Sequence, residues 1–129
     1  MLANSPIAPM LPVVNLERAR SFYENKLGLP LNEAISSEEA LMFDCGGGTQ
    51  LGVYRRATPT QADHTAAIWI VDDIEDAVRE LKTRGIEFEH YDLPGLTTNQ
   101  QGIADVANER AAWFKDPEGN FLGIVQFIG

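Results

Sequence analysis

Val14-Asn15-Leu16-Glu17-Arg18-Ala19 and Asp72-Asp73-Ile74-Glu75-Asp76-Ala77 are two versions of one phrase: Leu16 recurs as Ile74, Glu17 as Glu75 and Ala19 as Ala77, 58 residues apart. Further along, Phe43, Gly48, Leu51, Gly52 and Val53 recur as Phe114, Gly119, Leu122, Gly123 and Ile124, 71 residues apart. The spacing grows by 13 residues between the two matches, so the second copy carries an insertion. It fits most easily between Asp92 and Asn108, where turn and polar residues concentrate. Self-similarity at a fixed spacing marks a repeated structural unit. The chain therefore reads as a single domain, 1–129, made of a first module over 1–60 and a second over 61–129.

Each copy has the pattern strand, helix, then strands. Ala8 to Val14 is apolar and suits a strand. Asn15 is a good N-cap, and Leu16, Ala19, Phe22, Tyr23 and Leu27 then fall on one helical face, which Gly28 ends. Leu31 to Ser36, Ala40 to Cys45 and, after Gly46-Gly47-Gly48, Gln50 to Arg55 read as further strands. In the second copy the strand is Ala66 to Val71. Asp72 and Glu75 have capping-box spacing, and Ile74, Ala77, Val78 and Leu81 form the apolar stripe. Ile86 to Tyr91 follows as a strand, and Ala111–Lys115 and Asn120–Phe127 form a hairpin around Asp116-Pro117-Glu118-Gly119. This is βαβββ twice, an α+β fold whose two modules are expected to curl a mixed sheet around a cleft, with helices outside.

Composition narrows the partners. The chain is 44% hydrophobic and 22% charged, as in ordinary globular proteins. No stretch approaches the roughly 18 apolar residues of a membrane span, so a membrane partner is not expected. Met1 to Pro12 lacks the cationic start of a signal peptide and is broken by Pro6, Pro9 and Pro12. The single cysteine, Cys45, excludes an internal disulfide framework and a cysteine zinc cluster, and has no evident basic partner to activate its thiol. These features point to a cytoplasmic protein. The net charge is −9, of which −8 falls in residues 61–129; nucleic acid is disfavoured and a cationic ligand is permitted.

Two segments carry a resemblance. Phe22-Tyr23-Glu24-Asn25-Lys26-Leu27-Gly28-Leu29 resembles the first-helix signature of the glyoxalase / bleomycin resistance protein / extradiol dioxygenase superfamily, also called vicinal oxygen chelate. Trp113-Phe114-Lys115-Asp116-Pro117-Glu118-Gly119-Asn120 resembles its last hairpin. The resemblance implies the paired βαβββ fold, usually as a homodimer, and in metal-dependent members a divalent ion held by one side chain from each of four strands. Carried over to this chain, the four positions fall on Ala8, Gly52, Ala66 and Gly123, none of which has a ligating group. The chain thus looks like a member without the metal site, and no cofactor is expected.

In that light Gly52 and Gly123 suggest either an enlarged apolar cavity or close strand packing. Strand alternation places Met10, Gln50, Gly52, Tyr54, Ala66, Ile68, Phe121 and Gly123 on the cleft side, as ligand-binding candidates, with Trp113 and Tyr91 at its mouth. The leading expectation is a metal-free protein that binds a small organic molecule, akin to the drug-sequestering bleomycin-resistance branch. One alternative is a lyase or isomerase with His64 as base and Tyr54, Gln50 or Tyr91 as donors. Another is a metal-dependent glyoxalase or dioxygenase whose ion is held elsewhere, by His64 or His90 with Glu87, Glu89, Asp92 or Gln50. Arg55-Arg56 is either an anion site or a solvated strand end, and Asp92–Asn108 either a lid or a plain excursion.

Overall fold

The computed structural model describes residues 1–129. The chain divides into two compact units, Met1–Gln61 with Pro117–Asn120, and Ala62–Asp116 with Phe121–Gly129. Each is a mixed sheet with a helix on one face.

In the first unit, β1 (Met10–Val13) runs parallel to β3 (Gln50–Arg55), and β2 (Ala40–Asp44) pairs antiparallel with the other edge of β3. Leu11, Val13, Phe43, Leu51 and Val53 alternate onto one face and are buried. The helix covers this face with Ala19, Phe22 and Tyr23, and Tyr23 packs on Phe43 with ring centroids 5.6 Å apart. The Asn15 side chain accepts from the Arg18 amide at 3.0 Å, as an N-cap should. The helix starts as α1 (Leu16–Arg20) and continues with π-helical bonding over Ser21–Lys26.

The second unit repeats this arrangement. β4 (Thr65–Ile70) is parallel to β9 (Phe121–Phe127), which pairs antiparallel with β8 (Glu109–Lys115). The helix α2 (Ile74–Thr83) is capped by Asp73 and buries Ile74 and Val78. The Gln126 side chain accepts from the Ile74 amide at 2.9 Å and fixes the helix start to the sheet. The repeat read in the sequence reappears in the register: Met10, Gly52 and Met42 stand side by side across three strands, and so do Ile68, Gly123 and Trp113.

Two expected strands are much shorter than their sequence suggests. Leu31–Ser36 contributes a single bridge, Leu31 to Phe43, and then turns through Glu33–Ile35. Ile86–Tyr91 contributes only the bridge from Phe88 to Phe114. The inserted stretch is not one loop. It holds a small hairpin, β5 (Asp92–Leu93) with β6 (Leu96–Thr97), and then β7 (Ile103–Val106), which joins the sheet beside β8. No helix is long and apolar enough to cross a membrane.

Candidate functional site

In the second unit, the sheet face away from α2 gathers five of the residues singled out above. Ile68, Gly123 and Trp113 are strand neighbours, and Phe121 lies two residues before Gly123 on the same face of β9. Tyr91 stands edge-on to Trp113, with ring centroids 5.8 Å apart at 72°. Its backbone is held by Thr98, whose hydroxyl accepts from the Tyr91 amide at 2.9 Å. Burial, helped by the charge of Glu89, raises the Tyr91 pKa above its ordinary value, so the phenol stays protonated at neutral pH and can donate a hydrogen bond.

The rim of this face is charged. Lys115 lies 3.6 Å from Glu89, with its ammonium 4.8 Å from the centre of the Phe121 ring. Sequence reading missed Lys115 as a site residue, although its position two residues after Trp113 on one strand puts it on the same face.

In the first unit, Met10, Gln50, Gly52 and Tyr54 likewise share the face away from the helix. Gln50 is turned to Asp44, donating from Nε2 at 3.3 Å, and Asn32 donates to the same carboxylate oxygen at 3.1 Å. Arg56 lies over the Tyr54 ring at 6.0 Å, and Arg55 is engaged by the Glu38 carbonyl and Glu39, so the arginine pair reads as a strand end in local contacts. On the helix side, a groove of about 430 Å³ runs between Leu16, Leu41, Arg20, Arg55, Glu17 and Glu38. Of the candidates read from the sequence it contains only Arg55, and none of the ligand-binding candidates.

Neither glycine opens an empty space. A Cβ on Gly123 would stand 3.3 Å from the Ala112 carbonyl oxygen, 3.3 Å from Trp113 Cδ1 and 3.4 Å from Ile68 Cγ2. A Cβ on Gly52 would meet Met42 Sδ at 2.6 Å and Met10 Cε at 2.8 Å, with Met10 Sδ nearer still. Of the two readings of these glycines, close packing holds: each glycine lets the two flanking side chains fold down over the strand.

His64 immediately precedes β4, and Ala66 is the second residue of that strand. His64 is exposed, with Nδ1 3.3 Å from the Thr65 carbonyl oxygen. His90 is also exposed.

The turn after β8 holds what sequence reading took as only a turn signature. The fully buried Glu118 carboxylate accepts from the Val14 amide at 2.7 Å and the Asn15 amide at 3.1 Å, and pairs with Arg18 at 2.6 Å. Asn120 donates to the Pro12 carbonyl at 3.0 Å. These bonds place Pro117–Asn120 in the first unit, whereas the sequence division had put them with the second module. Burial opposes the Glu118 charge, but the Val14 amide, Arg18 and the Asn15 amide outweigh it and hold the carboxyl below its ordinary pKa.

The sequence matches the glyoxalase/bleomycin resistance protein/dioxygenase superfamily over residues 7–124. The chain belongs to this superfamily. No curated protein matches it. Among solved structures, a glyoxalase/bleomycin resistance protein/dioxygenase from Alicyclobacillus acidocaldarius is 21% identical, with a TM-score of 0.69, over 98% of this chain and 93% of that one. A protein of the same description from Nocardioides is 22% identical, with a TM-score of 0.65, over 96% and 83%. A lactoylglutathione lyase from Agrobacterium tumefaciens is 21% identical, with a TM-score of 0.64, over 95% and 93%. At these identities the likeness is one of fold.

The residues present do not fit the metal that some members of the superfamily hold. Gly52 is covered by thioethers, and Gly123 by an indole and an isoleucine. No group of three or more His, Cys, Asp or Glu side chains is arranged to hold an ion.

Proposed function

We propose that this superfamily member binds a small organic molecule without a metal ion, against the aromatic face of its second sheet. The observation that carries the reading is the replacement of ligating groups by Ala8, Gly52, Ala66 and Gly123, together with the apolar cover on both glycines. Divalent ions need converging oxygen, nitrogen or sulfur donors. What stands on the second sheet instead is an edge-on Tyr91–Trp113 pair, Phe121 and the exposed Ile68. An apolar surface with a few placed polar groups suits a small organic ligand. Trp113 and Tyr91 supply flat area with one donor each, and Lys115 and Glu89 supply paired charges at the rim.

We further propose that the protein works as a homodimer. β4 is an edge strand of its sheet, and it exposes Ile68 and Ile70, the latter at 69%. An apolar unpaired edge favours association with another chain.

A thermal-shift screen tests the binding reading. Flat aromatic compounds are expected to raise the melting temperature, with about 2.7 kcal/mol of stabilisation at a hundredfold excess over Kd. Zn, Ni, Mn and Fe ions are expected to leave it unchanged. Stabilisation by the metals alone would overturn the reading.

A further inference from the structure

The two structurally equivalent glycines are covered in different ways. Over Gly123 the nearest atoms include the Ala112 backbone carbonyl, which cannot move without disturbing the sheet, and a ring atom of Trp113. Over Gly52 the nearest atoms are only the far ends of two methionines. Met10 is 44% exposed and Met42 is half-buried, and both thioether ends are carried on side chains that can rotate about three bonds. Methionine is unbranched and polarisable, and it serves where a surface must adapt to varied apolar partners.

We infer that Met10 and Met42 form a movable plug over Gly52, and that on swinging aside they open a subsite for a flat aromatic group. The bare backbone of Gly52 forms the floor, the thioethers become walls, and Tyr54 lies two residues along on the same face. Sulfur favours the edge of an aromatic ring, which selects an aromatic over an aliphatic occupant. The inference rests on the small-molecule reading above and adds to it a separate subsite, in the first unit, with an opening movement. Because the closed plug must be displaced before the ligand enters, the apparent affinity is reduced by the fraction of open protein.

The test uses the full chain labelled with methyl-¹³C methionine and ¹⁵N indole, titrated with 2-naphthol as a neutral flat probe. The three methionines give three methyl signals, and the exposed Met1 is an internal reference. Saturable upfield shifts of Met10 and Met42, with Met1 unmoved, are expected. Met10→Ala removes half the plug at a partly exposed site and is expected to tighten binding several-fold. Gly52→Leu is expected to abolish the methyl shifts. If the Trp113 indole responds while Met10 and Met42 do not, the plug is refuted and the small-molecule reading stands. If Met10→Ala weakens binding, the methionines are fixed walls and the opening movement is refuted. If no signal responds, both the plug and the reading beneath it fall.

Discussion

Replacing Glu118 by Gln keeps the shape of the side chain and removes its charge, where two backbone amides and Arg18 are aligned on a fully buried carboxylate. Disturbing hydrogen bonds to a buried charged group costs about 1.5–3 kcal/mol, so Glu118→Gln is expected to lower the melting temperature by several degrees at neutral pH. The pH dependence has a definite sign. The folded pKa lies below the unfolded one, so the contribution is complete above the ordinary glutamate pKa of about 4.3 and is lost as pH falls through the lower folded value. Melts across pH 3 to 6 should show this acid limb in the parent and a shallower one in Glu118→Gln. The glycines differ in the same measurement. Gly123→Leu meets backbone and ring atoms and is expected to cost about 1–3 kcal/mol through overpacking. The same contacts decide between a cavity and close packing, which the sequence left open: a sequence shows that a side chain is missing, but not which neighbours fold into its place. Ile68 and Ala66, and likewise Phe121 and Gly123, could be placed on one face from strand alternation alone, whereas Tyr91 and Trp113 fall at the mouth only because they flank the inserted stretch. The Glu118 anchor was invisible because its partners lie about a hundred residues away.

At the scale of elements, the strands with strict pairing partners were legible and those held by one bridge were not. Leu31–Ser36 and Ile86–Tyr91 have strand-like composition, yet each meets its neighbour at one residue. Apolar pattern records burial, and Leu31 and Phe88 satisfy it without a continuous ladder. The inserted stretch misled in the opposite direction, since its polar residues concealed β7, whose Ile103 and Ala104 are buried beside β8. Hydrogen exchange should separate its parts: the amides of Ile103–Val106 protected, those of Asp92–Thr97 exchanging early, because β5 and β6 pair over only two residues each. The turn joining β7 to β8 offers a second test. Ala107 there has φ 52°, in the left-handed region, where a residue with a Cβ is strained by roughly 1–2 kcal/mol. Ala107→Gly is expected to raise the melting temperature, despite the greater flexibility glycine adds to the unfolded chain.

For the whole molecule, the internal repeat was the most informative signal in the sequence, because it survives as matching strand registers in the two units. Met10–Gly52–Met42 and Ile68–Gly123–Trp113 occupy the same places in two copies of one design. Association has a direct check: light scattering at micromolar concentration should give twice the 14.2 kDa chain mass, and a monomer mass would refute the proposed dimer. The central claim is that this superfamily member acts without a metal ion. Elemental analysis of the purified protein, after exposure to Zn, Ni, Mn and Fe and removal of free ions, tests it most directly. The expected result is no stoichiometric metal; about one ion per chain, lost on chelation together with activity, would contradict it.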